Sequence, residues 1–550
     1  MPGPLKTGPR PECFSADCCA ELKPVLGERA KLTTSDLLFG VIDHASTASG
    51  HLAVKDLERE LRYAQLRDEV ASVGAGLSAL GVVEGDRVAL LLPNSVDFVV
   101  AALACLWIGA IFVPLAVTDP EARLTTIVND CSPAVVVASD PERENSEGFV
   151  SLGGLDLTSF SSLHQRDPTV TAPVSAANRV AYAIYTSGTT GTPKGVLIGM
   201  DAFTAAVRAT SIALGLNPAT RTLCVSPFYF DGSFGTLFPT LYSGGSVIIR
   251  PRESLLYPRT FFKAIADEHI TSTGFSPSYL RLLLSSPQVT QFATSSLDVI
   301  ALGGEASSLD DVRTIWSIAP MIRIFNRYGP TEATIAVTHV HLTAQNTSDG
   351  SVPIGSPHPD VYFYVVDENG SIIEEANRTG ELHIGGIQLM LGYWAAPQLT
   401  EEVLRTDVVP GETLYRTGDL VYRREVGDYV YVDRADRVIK RSGVRISLIE
   451  LSRVMRALPH VTAAVCIAFD DGGELGIVAF LTTDQEVSAI ELRREAAKQL
   501  PDNMLPNRIV IVGELPMTKS SKLDEVRLLR EAGLASVPKG PASPADVANN

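Results

Sequence analysis

Cysteine, tryptophan and histidine are scarce in this chain of 550 residues. It has 7 cysteines, 3 tryptophans and 9 histidines. The cysteine count is odd, no Cys-x-x-Cys pair occurs, and no histidine cluster has the spacing of metal ligands. These absences exclude a disulfide scaffold or a zinc module and favour reduced thiols, so we predict a cytoplasmic protein.

Positive charge is also limited. Lysine and arginine together number 46 against 63 aspartates and glutamates, which gives a formal net charge of −17. Because proteins that bind nucleic acid over a broad surface carry a basic field, we predict no nucleic-acid partner. An acidic enzyme that acts on a polyanion must gather its lysines and arginines locally.

Long apolar runs are rare, and one of them, residues 98–117, has the length of a membrane span. Gly109 and Pro114 divide this run, which predicts a buried helix followed by a short buried strand. The first residues lack a basic stretch followed by an apolar core, the pattern of a signal peptide. We therefore predict no membrane partner.

Short β-branched runs alternate with helical periodicity over much of the chain. Predicted helices include 66–80, 122–131 and 258–268, and predicted strands include 86–92, 134–139, 222–227, 245–250, 271–277, 297–304 and 321–329. This alternation predicts an α/β fold with parallel-rich sheets and crossover helices.

The predicted domain organisation has four parts. A leader (1–35) precedes a large N-terminal domain (36–435), in which short strands and turns predict a β-rich subdomain at about 350–435. A small, mobile α+β domain follows (436–532), and the Pro- and Ala-rich tail (533–550) is predicted to be disordered.

The most informative segment is Tyr185–Gly195, YTSGTTGTPKG. Its glycines let backbone N–H groups turn toward an anion, its hydroxyls add donors, and Lys194 adds a mobile positive charge. It differs from a Walker A loop because Lys194 follows Pro193 and no Ser or Thr comes after it. The segment predicts a cradle for a nucleotide triphosphate; a flexible Ser/Gly-rich turn is the alternative.

This segment resembles the phosphate-loop signature of the adenylate-forming superfamily, which includes acyl-CoA ligases, luciferases and the adenylation domains of nonribosomal peptide synthetases. Five further segments resemble the family's motifs in the same order: Asn326–Glu332, Gly380–Gly386, Tyr415–Asp419, Asp433–Ile446 and Pro516–Lys522. The resemblance covers about residues 40–530. It implies ATP and Mg²⁺ as cofactors, and activation of a carboxylate as an acyl adenylate with release of pyrophosphate.

The resemblance also implies residue roles. The catalytic set would be Lys522, Lys194, Thr331 and Glu332, with Glu332 as the Mg²⁺ ligand. The ATP-binding set would be Thr186, Ser187, Gly188, Thr189, Thr190, Asn326, Tyr328, Gly329, Asp419 and Arg434. Closure of the small domain about a hinge at Asp436 would bring Lys522 to the site.

Two positions depart from the family pattern. Ser521 stands where a glycine usually precedes the catalytic lysine, and Asp433 stands where the hinge motif usually begins with glycine. Lys522 and Asp436 remain, so we interpret both changes as tolerated variation. A nucleotide-binding protein without turnover stays as an alternative.

The substrate pocket is expected around Phe230 and Asp231. In amino-acid-activating members an aspartate at this place binds the substrate ammonium, and a buried anion disfavours acids that lack an amino group. Capping of a helix start is the alternative role for Asp231. The other lining positions, mostly small residues that predict a roomy pocket or a displaced substrate, are Gly232, Gly235, Gly274, Ala301, Gly303, Gly304, Arg327, Ile335 and Ala336.

Arg327 stands where most relatives have a small residue. Its guanidinium could bind a second carboxylate on the substrate, or it could pair with a protein acid or point at the ATP phosphates.

The resemblance is to stand-alone enzymes that load an amino acid onto the phosphopantetheine thiol of a separate carrier protein. Members that activate β-amino acids for macrolactam antibiotics are similar in layout, and Arg327 would suit an aspartate-like β-amino acid such as a 3-aminodicarboxylate, which is the hypothesised substrate. The alternative is an acyl- or aryl-CoA ligase, which would share every ATP motif.

Overall fold

The structure is a computed structural model that describes residues 37–119, 121–139, 151–152, 154–164, 179–187, 193–435, 438–441, 444–470, 475–498, 500, 505–518 and 523–536. The chain divides into two compact units. The first unit comprises Met1–Thr417 and Tyr422–Tyr431, and the second comprises Gly418–Val421 and Val432–Asn550. The predicted leader lies outside the described residues.

The helices up to residue 403 are α1 (Leu37–Thr47), α2 (Tyr63–Ala79), α3 (Val96–Ile108), α4 (Glu121–Cys131), α5 (Phe160–Leu163), α6 (Met200–Leu214), α7 (Asp231–Tyr242), α8 (Arg252–Leu255), α9 (Pro258–Asp267), α10 (Pro277–Leu284), α11 (Leu309–Ile318) and α12 (Pro397–Val403). Short 3₁₀ helices lie at Val289–Thr294 and Thr331–Ala333.

The strands up to residue 434 are β1 (Leu52–Lys55), β2 (Glu60–Arg62), β3 (Arg87–Leu91), β4 (Ile111–Pro114), β5 (Val135–Ala138), β6 (Ser151–Leu152), β7 (Leu155–Ser159), β8 (Val180–Ser187), β9 (Pro193–Gly199), β10 (Arg221–Cys224), β11 (Ser246–Ile249), β12 (Ser272–Phe275), β13 (Val299–Gly303), β14 (Arg323–Tyr328), β15 (Thr338–His341), β16 (Pro353–Gly355), β17 (Val361–Val366), β18 (Gly380–Gly386), β19 (Gly392–Tyr393), β20 (Leu404–Arg405), β21 (Leu414–Arg423) and β22 (Tyr429–Arg434).

Two eight-stranded sheets form the α/β part of the first unit. One has the order β15-β14-β13-β12-β10-β11-β1-β2 and is parallel except at its outer strands β15 and β2. The other has the order β19-β9-β8-β4-β3-β5-β7-β6, with a parallel centre from β8 to β7. Parallel neighbours require crossover connections, which the helices supply. The predicted α/β fold with parallel-rich sheets is confirmed.

The apolar run 98–117 folds as the sequence predicts. Helix α3 is buried along its whole length and ends at Gly109, whose φ of 79° is left-handed and suits glycine. Strand β4 follows it and is also buried. Among the described residues, no helix combines the length and apolar character that crossing a bilayer requires.

A six-stranded sheet occupies the predicted β-rich region, with the order β16-β22-β21-β18-β17 and β20 paired to β21. Strand β19 lies in the same stretch of sequence but belongs to a different sheet, because it pairs antiparallel with β9. The β-rich region is therefore not a separate layer, since it contributes an edge strand to the second α/β sheet.

The second unit contains β23 (Val438–Arg441), β24 (Val444–Ser447), β25 (Val461–Asp470), β26 (Leu475–Thr483), β27 (Arg508–Ile511), β28 (Ala535–Ser536) and helices α13 (Leu448–Arg456), α14 (Ala489–Ala497) and α15 (Glu525–Glu531). β23 and β24 form a hairpin, and a four-stranded sheet has the order β27-β26-β25-β28.

The start of the tail needs a correction. Residues 535–536, predicted to be disordered, form β28 and pair antiparallel with the end of β25, whose outer edge would otherwise lack hydrogen bonds. Leu534 packs on the adjoining core of the second unit. Residues 537–550 lie outside the described residues.

Aromatic packing fixes the position of α7. Phe234 and Phe238 on this helix make edge-to-face contacts with Tyr182 and Phe203, at centroid distances of 4.9–5.2 Å, and Phe112 of β4 joins the same cluster. Such contacts stabilise beyond the area they bury. Helix α7, which begins at Asp231, is thereby held against the second α/β sheet and against α6.

Glu268 is a buried carboxylate that pairs with cations on, or directly after, three strands of the first sheet: β1, β10 and β11. It forms salt bridges with Lys55 at 2.9 Å, with Arg221 at 3.3 Å and with Arg250. Burial works to raise the pKa of Glu268, but Lys55 and Arg250 lower it on balance. Its negative charge therefore stabilises the folded state above the ordinary pKa of glutamate, and this stabilisation is lost as the pH falls through the lowered value.

We expect Glu268→Gln to lower the free energy of unfolding by about 2–4 kcal/mol, because it leaves three partly buried cations without their anion. Chemical denaturation followed by tryptophan fluorescence measures this. Asp298→Asn is the control; it removes a carboxylate from an exposed pair with Arg323 and should cost less than about 1 kcal/mol. Equal losses in the two variants would contradict the proposed importance of Glu268.

Candidate functional site

The arms of the predicted phosphate loop form an antiparallel hairpin. β8 and β9 pair in a register that sets Thr186 opposite Lys194 and Ser187 opposite Pro193. Gly188, Thr189 and Thr190 lie outside the described residues. The hairpin therefore places Lys194 at the base of the loop, beside the residues predicted to bind phosphates.

A tyrosine links Lys194 to Glu332. The Lys194 Nζ atom lies 5.1 Å from the ring centroid of Tyr393, and the Tyr393 hydroxyl donates to Glu332 Oε1 at 2.8 Å. Burial, together with the neighbouring Glu332, raises the pKa of Tyr393, so this phenol stays protonated and donates. The two charged residues that the sequence predicts for catalysis are thus brought together by a residue that it did not predict.

The carboxylate of Glu332 suits a Mg²⁺ ion that is also bound by phosphate. Among the described residues, no group of three or more His, Cys, Asp or Glu side chains could hold a metal by itself. Mg²⁺ in nucleotide sites commonly takes one or two carboxylates and completes its shell with phosphate oxygens and water. Glu332 is half-buried, and its backbone carbonyl accepts from Met390 N–H at 2.8 Å, which fixes its position.

Asn326 is buried and both ends of its amide are used by the protein. Its Oδ1 accepts from the Ser307 hydroxyl at 2.9 Å, and its Nδ2 donates to the Pro353 carbonyl at 2.8 Å. An adenine contact by Asn326 would have to share one of these groups, so this role stays a prediction. Tyr328, predicted to stack on adenine, is half-buried, and its ring lies 6.4 Å from that of Tyr431.

The predicted ribose residues lie in the second unit. Arg434 Nη1 contacts Asp419 Oδ1 at 3.1 Å, and Asp419 is buried. Asp433 is fully buried, and its carboxylate accepts from the Arg434 backbone N–H at 2.7 Å. Burial and this hydrogen bond give Asp433 a structural role within the second unit. Asp436, Ser521 and Lys522 lie outside the described residues.

Asp231 is the first residue of α7. Its carboxylate accepts hydrogen bonds from the Thr331 side chain and the Gly232 backbone, while its Oδ2 atom is buried and has no partner within the part of the chain that the structure describes. Burial, with a further contribution from Glu332, raises the pKa of Asp231 to about 6. The adjacent Phe230 precedes the helix and does not cap it through its side chain. Asp231 thus offers an unused acceptor beside Thr331 and Glu332.

The glycines of the predicted pocket make room for an arginine. Arg327 on β14 extends over Gly303 of β13, where an added Cβ would lie 2.5 Å from its Cγ. Its guanidinium reaches Gly274 of β12 and Gly235 of α7, where an added Cβ would lie 3.5 Å from Nη2 and 3.0 Å from Nη1. The expectation of a roomy pocket is corrected, because Arg327 fills this space.

The remaining pocket positions divide into buried and open ones. Ala301 packs in a small core cluster with Leu214, Val299 and Phe325. Gly232 and Gly304 face open space on the side where a Cβ would be, and Gly304 adopts a left-handed φ of 83°. Gly329 cannot carry a side chain, because a Cβ would lie 2.5 Å from the Cα of Ala336.

The loop after Glu332 has an unusual backbone. Thr334 and Ile335 have φ values of 59° and 69°, a left-handed conformation that β-branched residues rarely adopt. Gln388 holds this loop, since its Nε2 donates to the carbonyls of Ala336 at 2.8 Å and Thr334 at 3.2 Å. The Thr334 hydroxyl donates in return to the Gln388 carbonyl at 2.6 Å. Strain of this kind persists only where the surroundings impose it, and it clusters at functional sites.

Two histidines connect Gln388 to the neighbourhood of Arg327. His358 Nδ1 lies 2.9 Å from Gln388 Oε1, and His358 Nε2 lies 2.9 Å from His339 Nδ1. Burial lowers the pKa of both imidazoles, and the charge of Arg327 lowers that of His339 further. His339 is opposite Arg327 in the β14–β15 register. Neutral imidazoles therefore separate the guanidinium from the Gln388 anchor.

Motif spacing could not predict Tyr393, Gln388 or the two histidines. All four lie in stretches without phosphate-loop or nucleotide signatures. Strand pairing brings His339 and Tyr393 to the site, and side-chain hydrogen bonds bring His358 and Gln388 there. The Gly-Tyr-Trp run that contains Tyr393 was visible in the sequence, but its partner strand β9 was not.

We expect Gln388→Glu to raise the KM of the acid substrate about 10-fold and to leave the KM of ATP nearly unchanged, because a carboxylate cannot donate to the carbonyls of Thr334 and Ala336 and so releases the loop of Ile335 and Ala336. Steady-state pyrophosphate release measures both constants. Gln345→Glu, at an exposed position near the same sheet, is the control. A parallel rise of both constants would indicate a general structural effect instead.

Two family models match the chain. A model described as AMP-binding enzyme matches residues 42–394, and one described as AMP-binding enzyme C-terminal domain matches residues 450–522. Gramicidin S synthase 2 of Brevibacillus brevis is 30% identical over 498 residues, a match that covers 88% of this chain and 11% of that protein. The chain therefore spans only a small part of such curated relatives.

Solved structures of the same fold come from both synthetases and CoA ligases. A four-domain nonribosomal peptide synthetase, holo-AB3403 bound to AMP and glycine, has a TM-score of 0.78 and 26% identity, and the match covers 93% of this chain and 37% of that one. The o-succinylbenzoate coenzyme A synthetase of Bacillus subtilis, in complex with ATP and magnesium ion, has a TM-score of 0.76 and 22% identity, with 89% and 98% covered. The predicted resemblance is confirmed: the chain belongs to the family of AMP-binding, adenylate-forming enzymes.

Proposed function

We propose that the protein activates an amino acid with ATP. The substrate carboxylate attacks the α-phosphorus, a new O–P bond forms, and the bond from the α-phosphorus to the bridging oxygen breaks, so that aminoacyl-AMP and pyrophosphate result. The observation that carries the proposal is the Oδ2 atom of Asp231, which is buried beside Thr331 and Glu332 and accepts no hydrogen bond from the residues that the structure describes. An ammonium group is the substrate feature that such an acceptor would bind.

The residues around the phosphate hairpin suit the demands of this reaction. Bringing a carboxylate to a polyphosphate requires positive charge at the phosphates and a fixed direction of approach. Lys194 would contact the β- and γ-phosphates, and Glu332 would hold Mg²⁺, which supplies charge neutralisation when bound. Tyr393 would keep Glu332 oriented through its hydrogen bond. Lys522 is proposed to contact the reacting carboxylate, on the family resemblance alone.

We further propose that the aminoacyl group is transferred to the phosphopantetheine thiol of a carrier protein. In that step a C–S bond forms, the C–O bond to AMP breaks, and the thiol proton is released. The relatives with synthetase names favour this acceptor. A β-amino acid is the proposed substrate. Transfer to coenzyme A is the second candidate, favoured by the likeness to a CoA synthetase, which at 22% identity concerns the fold alone.

An ATP–pyrophosphate exchange screen over amino acids, their deamino analogues and aryl acids tests the proposal. We expect exchange with at least one amino acid, and we expect Asp231→Asn to lower its kcat/KM by about 10- to 100-fold, the value of one charge-assisted hydrogen bond. Asp310→Asn, at an exposed site on α11, is the matched control. Exchange only with acids lacking an amino group, followed by thioester formation on coenzyme A, would favour the CoA ligase.

The pH dependence should report the ionisation of Asp231. Because burial raises its pKa to about 6, Asp231 is neutral below this pH and binds ammonium poorly, and it is an anion above it. We expect kcat/KM for the amino acid to rise with pH through about 6 and then level off. Asp231→Asn should lose this rise. A deamino analogue that shows the same rise would contradict the assignment.

A further inference from the structure

We propose that the pocket takes an amino acid with a second acidic group, and that Arg327 binds this group. The inference rests on the proposed amino acid activation and names the substrate class of the same site. It follows from the position of the guanidinium, from its burial and from an Nη1 atom that finds no partner among the residues the structure covers.

Arg327 is 8% exposed, and its Nη1 atom is buried with no hydrogen-bond partner among the described residues. A buried donor without a partner costs free energy, more so when it is charged. Its pKa is lowered by burial to about 10, so the guanidinium stays protonated at neutral pH. The arrangement is unfavourable in the free protein, and a bound anion would compensate for it.

The site around the guanidinium is built for this side chain. Strand pairing sets Gly303 opposite Arg327 and Gly274 opposite Ala301, so the side chain crosses two neighbouring strands over positions that lack a Cβ. Any larger residue at Gly303 would collide with the Arg327 stem. The guanidinium ends beside Gly235, one turn along α7 from Asp231.

The spacing of the two charges defines the ligand. Residues four apart on a helix lie on the same face with their Cβ positions about 5–6 Å apart. Asp231 and the Nη1 atom beside Gly235 therefore present an acceptor and a donor, each with an unused atom, about one helical turn apart. An ammonium and a carboxylate on neighbouring carbons of one substrate fit this spacing, and a third group, the reacting carboxylate, would point toward Thr331.

Arg327 could instead act only as an internal counter-charge for Asp231. No salt bridge joins the two side chains, although each is close enough to influence the pKa of the other. In that case loss of Arg327 would affect all amino acids alike. Recognition of a second acid predicts a loss confined to substrates that carry it.

The test is ATP–pyrophosphate exchange with diacids and their monoamides: aspartate against both asparagine and isoasparagine, so that either carboxylate can be the reacting one, and 3-aminoglutarate against its monoamide. We expect the full chain to prefer the diacid of at least one pair by about 10- to 100-fold in kcat/KM. Arg327→Met should abolish this preference, because kcat/KM should fall for the diacid by about 10- to 100-fold more than for the amide. Arg327→Lys should retain part of it.

Arg323→Met is the matched control, because Arg323 begins the same strand, pairs with the exposed Asp298 and lies away from the glycines. It should leave the preference unchanged. Thermal unfolding of each variant checks that it is folded. If Arg327→Met does not fold, the preference of the wild-type enzyme and of Arg327→Lys decides alone.

The outcomes separate the two proposals. Preference for the amide or a neutral amino acid, or an equal loss for both members of a pair in Arg327→Met, overturns the role of Arg327 and leaves amino acid activation standing. Absence of exchange with every amino acid, while a deamino acid supports it, overturns the proposed function itself and this inference with it.

Discussion

The constraint on which the pocket depends is the burial of one guanidinium. A side chain as long as that of Arg327 can lie flat on a sheet only where the neighbouring strands carry no Cβ in its path, and Gly303 and Gly274 provide this. The same path needs α7 to pass close by with a glycine at 235. Three positions that are distant in sequence are therefore restricted by the size of one side chain, and their smallness enlarges no substrate cavity.

A second constraint is the backbone of the loop that follows Glu332. Two consecutive left-handed β-branched residues are costly in isolation, on the order of 1–3 kcal/mol each. Gln388 offsets part of this cost by donating to the loop carbonyls, and His358 orients Gln388 in turn. The strained loop carries Ile335 and Ala336 at the pocket and begins at the carboxylate proposed for Mg²⁺. The strained residues, the carbonyls that Gln388 holds and the proposed Mg²⁺ ligand thus all lie within residues 332–336.

The sequence predicts the fold well wherever burial decides it. The strands 86–92, 134–139 and 297–304 are confirmed within a few residues, because parallel strands covered on both faces must be apolar throughout. Segments such as β19 are different, since two residues carry no periodicity and their sheet is decided by long-range pairing with β9. The same limit applies to Tyr393, whose contact with Lys194 exists only after that pairing.

The sequence predicts the phosphate-binding part of the site better than the proposed acid-binding part, and the reason is physical. Phosphate binding needs glycines, hydroxyls and a lysine within one short loop, so its signature is local and the sequence displays it. The proposed recognition of the acid would use charges at fixed positions on α7 and β14. Its signature is therefore spread over residues that are far apart in the sequence and follow no regular spacing. Gly274 and Gly303 illustrate this difference. In the sequence alone they favour an open pocket, and only the register of β12, β13 and β14 shows that the side chain of Arg327 lies over them. A local motif therefore predicts the type of reaction, whereas the proposed substrate class can be inferred only from how α7 and β14 pack in the folded chain.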